Sequence, residues 1–196
     1  MTNLPLELPR GYREPHRQEI IGGKIVLMSP KPVMQHIQIA RNIYDIFGRH
    51  LRGKNCEVFQ DSVEVHLTEE DTFIPDVSVV CDKSKIKRDG IYGAPDLVVE
   101  VLSPSTAKRD KGYKKDVYEK CGVKEYWIVS VKELTIEVYW LVEGKFVLNN
   151  VYALYEDWVL ERMTDEEKAE VVYKFGTLPF DDLIIDVEDV FRDLLE

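Results

Sequence analysis

The 196-residue chain predicts an α/β fold, in which helices flank a mixed β-sheet. Three observations support this class. Two helix-length segments carry apolar residues at spacings of three and four, between short strand-like runs. Tight turns join several of these runs, which is typical of antiparallel neighbours. The second helix separates two apolar runs, which is typical of a crossover between parallel strands. With 44% hydrophobic and 32% charged residues, the chain can bury one domain's core.

The first half of the chain predicts a hairpin, a helix and two strands. The hairpin covers residues 19–32 around a Gly-Gly turn, and a helix over 33–51 follows it. Alternating apolar residues predict a strand over 55–67 with a bulge or bend. A second strand is expected over 73–81, before a basic, glycine-containing loop at 82–93.

The second half predicts a central strand, a crossover helix and a meander. The apolar run 96–102 predicts a strand. A serine-rich start predicts a helix from about 103 to Cys121, which Gly122 ends. The remaining predicted elements are three meander strands over 123–131, 135–142 and 143–152, and a short strand followed by a helix within 178–195.

The net charge of −10 is unevenly distributed along the chain. Residues 156–196 hold 14 acidic against four basic residues, so this segment accounts for the whole excess. Residues 83–124 hold 11 basic against six acidic residues, a local charge of +5. A basic middle is compatible with nucleic acid as a partner, although a solvated surface is an equally good interpretation of charge alone.

Cysteine content and hydropathy bear on the protein's location. Three cysteines, without a CxxC spacing, predict neither a disulfide framework nor a zinc site, and they indicate a reducing cytoplasm. No apolar run reaches the roughly 18 residues of a membrane span. Residues 1–16 lack the apolar region of a secretory signal. We therefore expect a cytoplasmic protein with no membrane partner.

Two acidic residues stand where the chain otherwise predicts buried strand. Side chains alternate between the faces of a strand, so Glu100 shares one face of the central strand with Val98. Asp76 stands at the head of the preceding strand. A buried carboxylate is costly unless it is paired or metal-bound. Two carboxylates on neighbouring strands suit Mg²⁺, and Mn²⁺ could substitute in such an oxygen-rich site.

The crossover helix adds cations close to these acids. Lys111, Lys114, Lys115 and Tyr118 lie at helical spacing, which predicts one stripe facing Glu100. A lysine beside a cation can orient water or stabilise charge on a phosphoryl oxygen. The alternative is purely structural: Glu100 forms a salt bridge to a helix lysine, and Asp76 caps a turn.

The order of these segments resembles a known family. The central block runs IPD, DLVVEVLSPST and RDKGYKKDVYEKCGVKEYWIV, between an opening block EIIGGKIVLMSPKPVMQH and a closing block LPFDDLIIDVEDVF. Together they resemble the Uma family of restriction-endonuclease-like proteins, within the PD-(D/E)xK nuclease superfamily. The resemblance covers nearly the whole chain. It implies one restriction-endonuclease-like domain over 1–196, with an added N-terminal hairpin and C-terminal meander.

The resemblance implies roles for individual residues. Asp76 matches the PD aspartate and Glu100 the acid of (D/E)xK, so both are expected to hold the metal and act in catalysis. Leu102 stands where the motif lysine would be, and Lys114 matches the family's displaced lysine. Lys111 and Lys115 are the other candidates for that lysine.

Four further positions match the family with less defined roles. Glu19 is a possible accessory acid, and His36 a possible base or hydrogen-bond donor to the site. Asp110 is a further possible accessory acid, although it could simply favour the first turn of its helix, and Tyr118 could either hydrogen-bond within the site or only pack.

The implied function is Mg²⁺-dependent endonucleolytic hydrolysis of DNA, with a homodimer expected because duplex cleavage needs two cuts. The predicted DNA-contacting residues are basic and lie in the central loop and helix: Lys85, Lys87, Arg88, Lys108, Arg109, Lys111 and Lys115. A second hypothesis is a catalytically silent nuclease-fold module that binds DNA or protein. A third is a structural protein whose acidic tail binds a basic partner.

Overall fold

A computed structural model describes residues 18–28 and 33–195 of the chain. Two predictions fall outside this part: the absence of a secretory signal in residues 1–16, and the end of the predicted hairpin at residues 29–32. The described strands are β1 (Gln18–Ile21), β2 (Lys24–Leu27), β3 (Glu57–Gln60), β4 (Val65–His66), β5 (Thr72–Phe73), β6 (Val77–Val80), β7 (Ile91–Tyr92), β8 (Leu97–Leu102), β9 (Glu125–Ser130), β10 (Thr135–Val142), β11 (Lys145–Ala153), β12 (Lys174–Thr177) and β13 (Phe180–Asp186).

Six α-helical segments accompany these strands in the described part of the chain, together with a 3-10 turn at Lys83–Lys85. They are α1 (Met34–Leu51), α2 (Ala107–Arg109), α3 (Lys115–Cys121), α4 (Asp157–Leu160), α5 (Asp165–Glu170) and α6 (Val187–Val190). A π-helical turn, Asp110–Lys114, joins α2 to α3 without a break, and we call residues 107–121 the crossover helix. Gly122 ends this helix in the left-handed region at φ 88°, as its sequence predicts.

The main sheet has six strands in the order β11-β10-β9-β8-β6-β3. Strands β8 and β9 are parallel and are connected by the crossover helix, whereas the other neighbours are antiparallel. The predicted mixed sheet and its C-terminal meander, β9 to β11, are therefore confirmed.

Helices cover both faces of β8, as its two-sided apolar sequence predicts. Leu97, Val99 and Val101 belong to the core shared with α1. Val98 packs with Val117 of the crossover helix on the other face. Glu100 therefore lies on the face that the crossover helix covers.

A second sheet was not predicted from the sequence. It has five short strands in the order β2-β1-β5-β4-β7, three of which are only two residues long. The predicted strand over 55–67 is divided between the two sheets, because Ser62 adopts a left-handed φ of 85°. The predicted strand over 73–81 is likewise divided at Pro75 into β5 and β6. Asp76 therefore stands where the chain passes from one sheet to the other.

The acidic C-terminal segment packs against α1. The β12–β13 hairpin and α6 place apolar side chains in the core that α1 covers. The side-chain amides of two α1 residues also bind backbone carbonyls at the end of α6 and just after it. Gln38 Nε2 donates to the carbonyl of Asp193, and Asn42 Nδ2 donates to the carbonyls of Val190 and Arg192. These bonds fix α1, the helix that carries His36.

The described part of the chain contains no helix that combines the length and the apolar character needed to cross a membrane.

The cysteine spacing predicts no disulfide framework, but one pair of cysteines does form a disulfide. Cys56 and Cys81 are bonded, with Cα atoms 3.9 Å apart. Glu57 of β3 pairs with Val80 of β6, and the two cysteines are the next residues outward from this pair. Strand pairing therefore places them opposite each other, although 25 residues separate them in sequence. Cys121 is free. The cytoplasmic location stays a prediction.

Breaking the disulfide should destabilise the protein, because it closes a loop that contains Asp76. For a sequence separation of 25 residues, the chain-entropy relation gives a loss of about 3.5 kcal/mol. Urea unfolding of Cys56→Ser/Cys81→Ser measures this loss, with Cys121→Ser as the control. If the double variant and the control were equally stable, the Cys56–Cys81 bond would not stabilise the fold.

Candidate active site

Asp76 and Glu100 come together across two neighbouring strands. The antiparallel register pairs Val77 with Val99, Asp76 and Glu100 are the residues next to this pair, and the charge of Asp76 acts on Glu100. The backbone N–H of Val101 donates to Asp76 Oδ2 at 2.7 Å. This bond fixes the carboxylate of a residue that lies just outside its strand. The arrangement brings two carboxylates, which are hard oxygen donors, into one part of the molecule.

Lys114 reaches this pair from the crossover helix. Its ammonium Nζ lies 3.0 Å from Glu100 Oε1 and 3.7 Å from Asp110 Oδ1. Both Asp110 and Lys114 belong to the π-helical turn, a wide turn that is frequent at functional sites. Lys114 is only 4% exposed, so its charge is compensated by protein groups rather than by water.

A third carboxylate comes from the hairpin of the second sheet. Glu19 Oε1 lies 2.7 Å from Lys114 Nζ and also accepts a hydrogen bond of 3.0 Å from the N–H of Ile74. Glu19 is buried, although its neighbours in β1 are not. The ammonium group of Lys114 is thus surrounded by carboxylates from three elements.

His36 approaches the site from the opposite face. Its Nε2 lies 3.4 Å from Asp76 Oδ2. Burial alone would lower the pKa of His36, but its contact with Asp76 outweighs this effect and raises the pKa above the usual value. The imidazole is therefore disposed to carry a proton beside Asp76.

Two tyrosines complete the cluster. Tyr118 donates its hydroxyl to Glu100 Oε1 at 2.8 Å. Burial, together with the charge of Glu100, raises the pKa of Tyr118, so the hydroxyl keeps its proton. Tyr126 donates to the backbone carbonyl of Asp110 at 3.0 Å and so holds the π-helical turn in place.

Acidic side chains outnumber basic ones in this cluster. Burial raises the pKa of Glu100, Lys114 opposes that rise, and the carboxylates of Asp110, Asp76 and Glu19 add to it. Burial alone would lower the pKa of Lys114, but Glu100, Glu19 and Asp110 raise it far enough to keep the lysine charged. With all four acids ionised, Lys114 and a protonated His36 leave an excess of two negative charges.

The residues present fit a divalent cation. Asp110 Oδ1 is buried and has no hydrogen-bond partner within the described residues, and the surrounding donors are hard oxygens. Across residues 18–28 and 33–195, no three Asp, Glu, His or Cys side chains already form a metal cage. Mg²⁺ needs only one or two protein carboxylates and keeps several waters, so Asp76 and Glu100 would be enough to hold it.

Not all lysines of the predicted stripe face Glu100. Lys111 Nζ pairs with Glu137 at 2.6 Å, and Lys115 Nζ lies 3.4 Å from the ring centroid of Tyr139. Both contacts are with β10, away from the acid cluster. Of the three candidate lysines, only Lys114 contacts Glu100. Leu102, at the motif lysine position, packs among apolar residues.

The other predicted DNA-contacting residues lie in two places. Lys87 and Arg88 are exposed in the loop between β6 and β7, and Lys85 Nζ donates to the carbonyl of Ala94 at 2.8 Å. Lys108 is exposed in α2, whereas Arg109 is partly buried.

Comparison with known proteins identifies the family. The Uma2 family model, described as "Putative restriction endonuclease", matches residues 4–167. The chain belongs to the Uma2 family. An uncharacterized protein of Synechocystis sp., slr1290, is 32% identical over 128 residues, which cover 64% of this chain and 67% of that protein.

A solved structure confirms the fold expected of a Uma2 protein. A crystal structure from Anabaena variabilis, described as a putative nuclease belonging to DUF820, superposes with a TM-score of 0.68 at 18% identity. The match covers 95% of this chain and 96% of that chain. The predicted restriction-endonuclease-like fold is therefore confirmed, and membership of Uma2 supports a nuclease.

Backbone donors are the part of the site that sequence reasoning missed. The N–H of Ile74 and the N–H of Val101 hold Glu19 and Asp76, and neither has a side-chain signal in the sequence. The hydrogen bond from Tyr126 was also missed, because an aromatic residue in a strand predicts packing alone.

Replacing Lys114 should destabilise the protein strongly. Lys114→Met leaves Glu100 and Glu19 buried without a counter-ion, for which the expected loss is about 3–5 kcal/mol. The loss should be greater at pH 8 than at pH 5, because acid protonates the carboxyls that the variant leaves unpaired and Glu100 already has a raised pKa. Chemical unfolding at both pH values measures it.

Lys120→Met is the matched control, since Lys120 is exposed on the same helix. We expect it to change stability by no more than about 0.5 kcal/mol. If the two variants were equally stable, the ammonium of Lys114 would not be the counter-ion of the buried acids.

Proposed function

We propose that this protein is a metal-dependent endonuclease that hydrolyses DNA phosphodiester bonds. The observation that carries this proposal is the convergence of Asp76, Glu100 and Lys114, with the lysine ammonium 3.0 Å from Glu100. Membership of Uma2 and the nuclease fold support it.

Each of these side chains has a role that follows from its surroundings. Asp76 and Glu100 would hold the cation, with Mg²⁺ proposed and Mn²⁺ an acceptable substitute. When bound, the cation would neutralise charge on the phosphate and make a water molecule more acidic. Lys114 keeps its charge at neutral pH, so it would orient that water or stabilise the negative charge that develops on the phosphate.

His36 and Tyr118 support these roles. Tyr118 holds Glu100 through one carboxylate oxygen, which limits the rotation of that ligand. His36 lies beside Asp76 and carries a raised pKa, so it can supply a proton near the reacting phosphate.

DNA would contact the exposed cations near the site. Lys87, Arg88 and Lys108 are suited to phosphate contacts, and binding through them would weaken as salt rises. Lys111 and Lys115 are engaged by β10 and would have to exchange these contacts for phosphate. A homodimer remains part of the proposal, because duplex cleavage needs two cuts.

A catalytically silent DNA- or protein-binding module is the second candidate. The observation that favours it is the pairing of Lys114 with three carboxylates, which neutralises part of the charge available to a cation. Such a module would keep the fold and bind its partner without any need for Mg²⁺.

Cleavage of supercoiled plasmid tests the proposal. With Mg²⁺ or Mn²⁺, the wild-type protein should nick or linearise the plasmid, and EDTA should stop the reaction. Asp76→Asn and Glu100→Gln should each lower the rate by at least about 100-fold, because each removes one of only two proposed cation ligands.

The exposed acid Glu143, in the β10–β11 turn, provides the matched control, and Glu143→Gln should cleave at the wild-type rate. Titration calorimetry with Mg²⁺ separates the two candidates. No heat of binding and no cleavage of plasmid DNA or RNA would contradict the nuclease and favour the silent module.

A further inference from the structure

The N-terminal hairpin contributes one buried acid to the site. Within β1, Glu19 is buried at 3% exposure, whereas its neighbours Gln18, Ile20 and Ile21 are partly or fully exposed. In β2 no residue is buried. Burial of a carboxylate in an otherwise exposed hairpin requires strong compensation, and the partners of Glu19 show what provides it.

One oxygen of Glu19 joins two parts of the active site. Oε1 lies 2.7 Å from Lys114 Nζ, a shorter contact than the 3.0 Å between Lys114 and Glu100. The same oxygen accepts the N–H of Ile74, two residues before Asp76. Glu19 therefore restrains both the lysine and the backbone that leads into the proposed cation ligand.

The hairpin is anchored independently of this contact. Gly22 N–H donates to Asp71 Oδ1 at 3.0 Å, and Gly23 N–H donates to the carbonyl of Glu70 at 2.9 Å. Gly22 also adopts φ +56°, and a Cβ there would lie 3.1 Å from the hydroxyl of Tyr113, a residue of the π-helical turn. The hairpin tip is thus bonded to residues 70–71 and lies close to the turn that carries Lys114, so the backbone that carries Glu19 is restrained near the lysine.

A lysine that reaches the site from a helix needs such a restraint. Lysine has a flexible four-carbon side chain, and Lys114 belongs to a different layer from Asp76 and Glu100. We propose that Glu19 is a positioning residue that aims the ammonium of Lys114 at the reacting phosphate and so makes the hairpin a working part of the site. The catalytic half of this inference rests on the proposed nuclease function.

Glu19→Gln tests the inference while keeping side-chain size and an acceptor for Ile74. Turnover of plasmid at saturating Mg²⁺ should fall about 10- to 100-fold, the range for residues that orient a functional ligand, with KM for DNA unchanged. Glu19→Asp, which keeps the charge, should lose less. The control is Glu70→Gln, an equal change of charge on an exposed side chain beside the hairpin anchor, and it should cleave at the wild-type rate.

A second readout needs no cleavage. In ¹H–¹⁵N spectra of lysine ammonium groups, the buried Lys114 should give a slowly exchanging signal, assigned by its loss in Lys114→Arg. Glu19→Gln should shift or broaden this signal, and Glu70→Gln should leave it unchanged. An unchanged Lys114 signal in Glu19→Gln, or turnover equal to wild type, would overturn the positioning role. If the signal responds but wild-type protein cleaves nothing, the restraint on Lys114 stands and the nuclease proposal fails.

Discussion

The burial of the Lys114 ammonium group among carboxylates constrains the rest of the structure. An unpaired charge at this depth would cost several kcal/mol, so the fold must bring counter-charges to it. Glu19 comes from the hairpin, Glu100 from the central strand and Asp110 from the same helix. The second sheet, the main sheet and the crossover helix therefore meet at one ion cluster. A change in any of these elements alters the electrostatic balance of the others.

This cluster is also suited to chemistry. Structural ion pairs usually balance their charges, whereas the acids here outnumber Lys114 and His36 by two. Burial raises the pKa of Glu100 and Asp110, the neighbouring carboxylates add to that rise, and a divalent cation would relieve the repulsion among them. The chain passes from one sheet to the other at Pro75, and this places Asp76 in the acid-rich cluster. The interaction that holds these three elements together is thus also the basis of the proposed cation and phosphate site.

The sequence predicts the features that depend on local periodicity, and it misses those that depend on long-range pairing. Apolar spacing places the main helices and the central strand correctly, and the anomalous Glu100 marks the site. The second sheet has two-residue strands too short for any period to show, and the break at Ser62 depends on a left-handed φ. The Cys56–Cys81 bond follows from strand register, which cysteine spacing does not reveal.

Anomalous diffraction from crystals soaked in Mn²⁺ tests most directly whether this ion cluster is a cation site. If the cluster is a cation site, one Mn²⁺ peak should lie in contact with Asp76 and Glu100, beside the side chain of Lys114. The peak should disappear in crystals of Glu100→Gln. A peak elsewhere on the molecule, or none in crystals that diffract well and contain the ion in solution, would contradict the account and leave the cluster as a structural salt bridge.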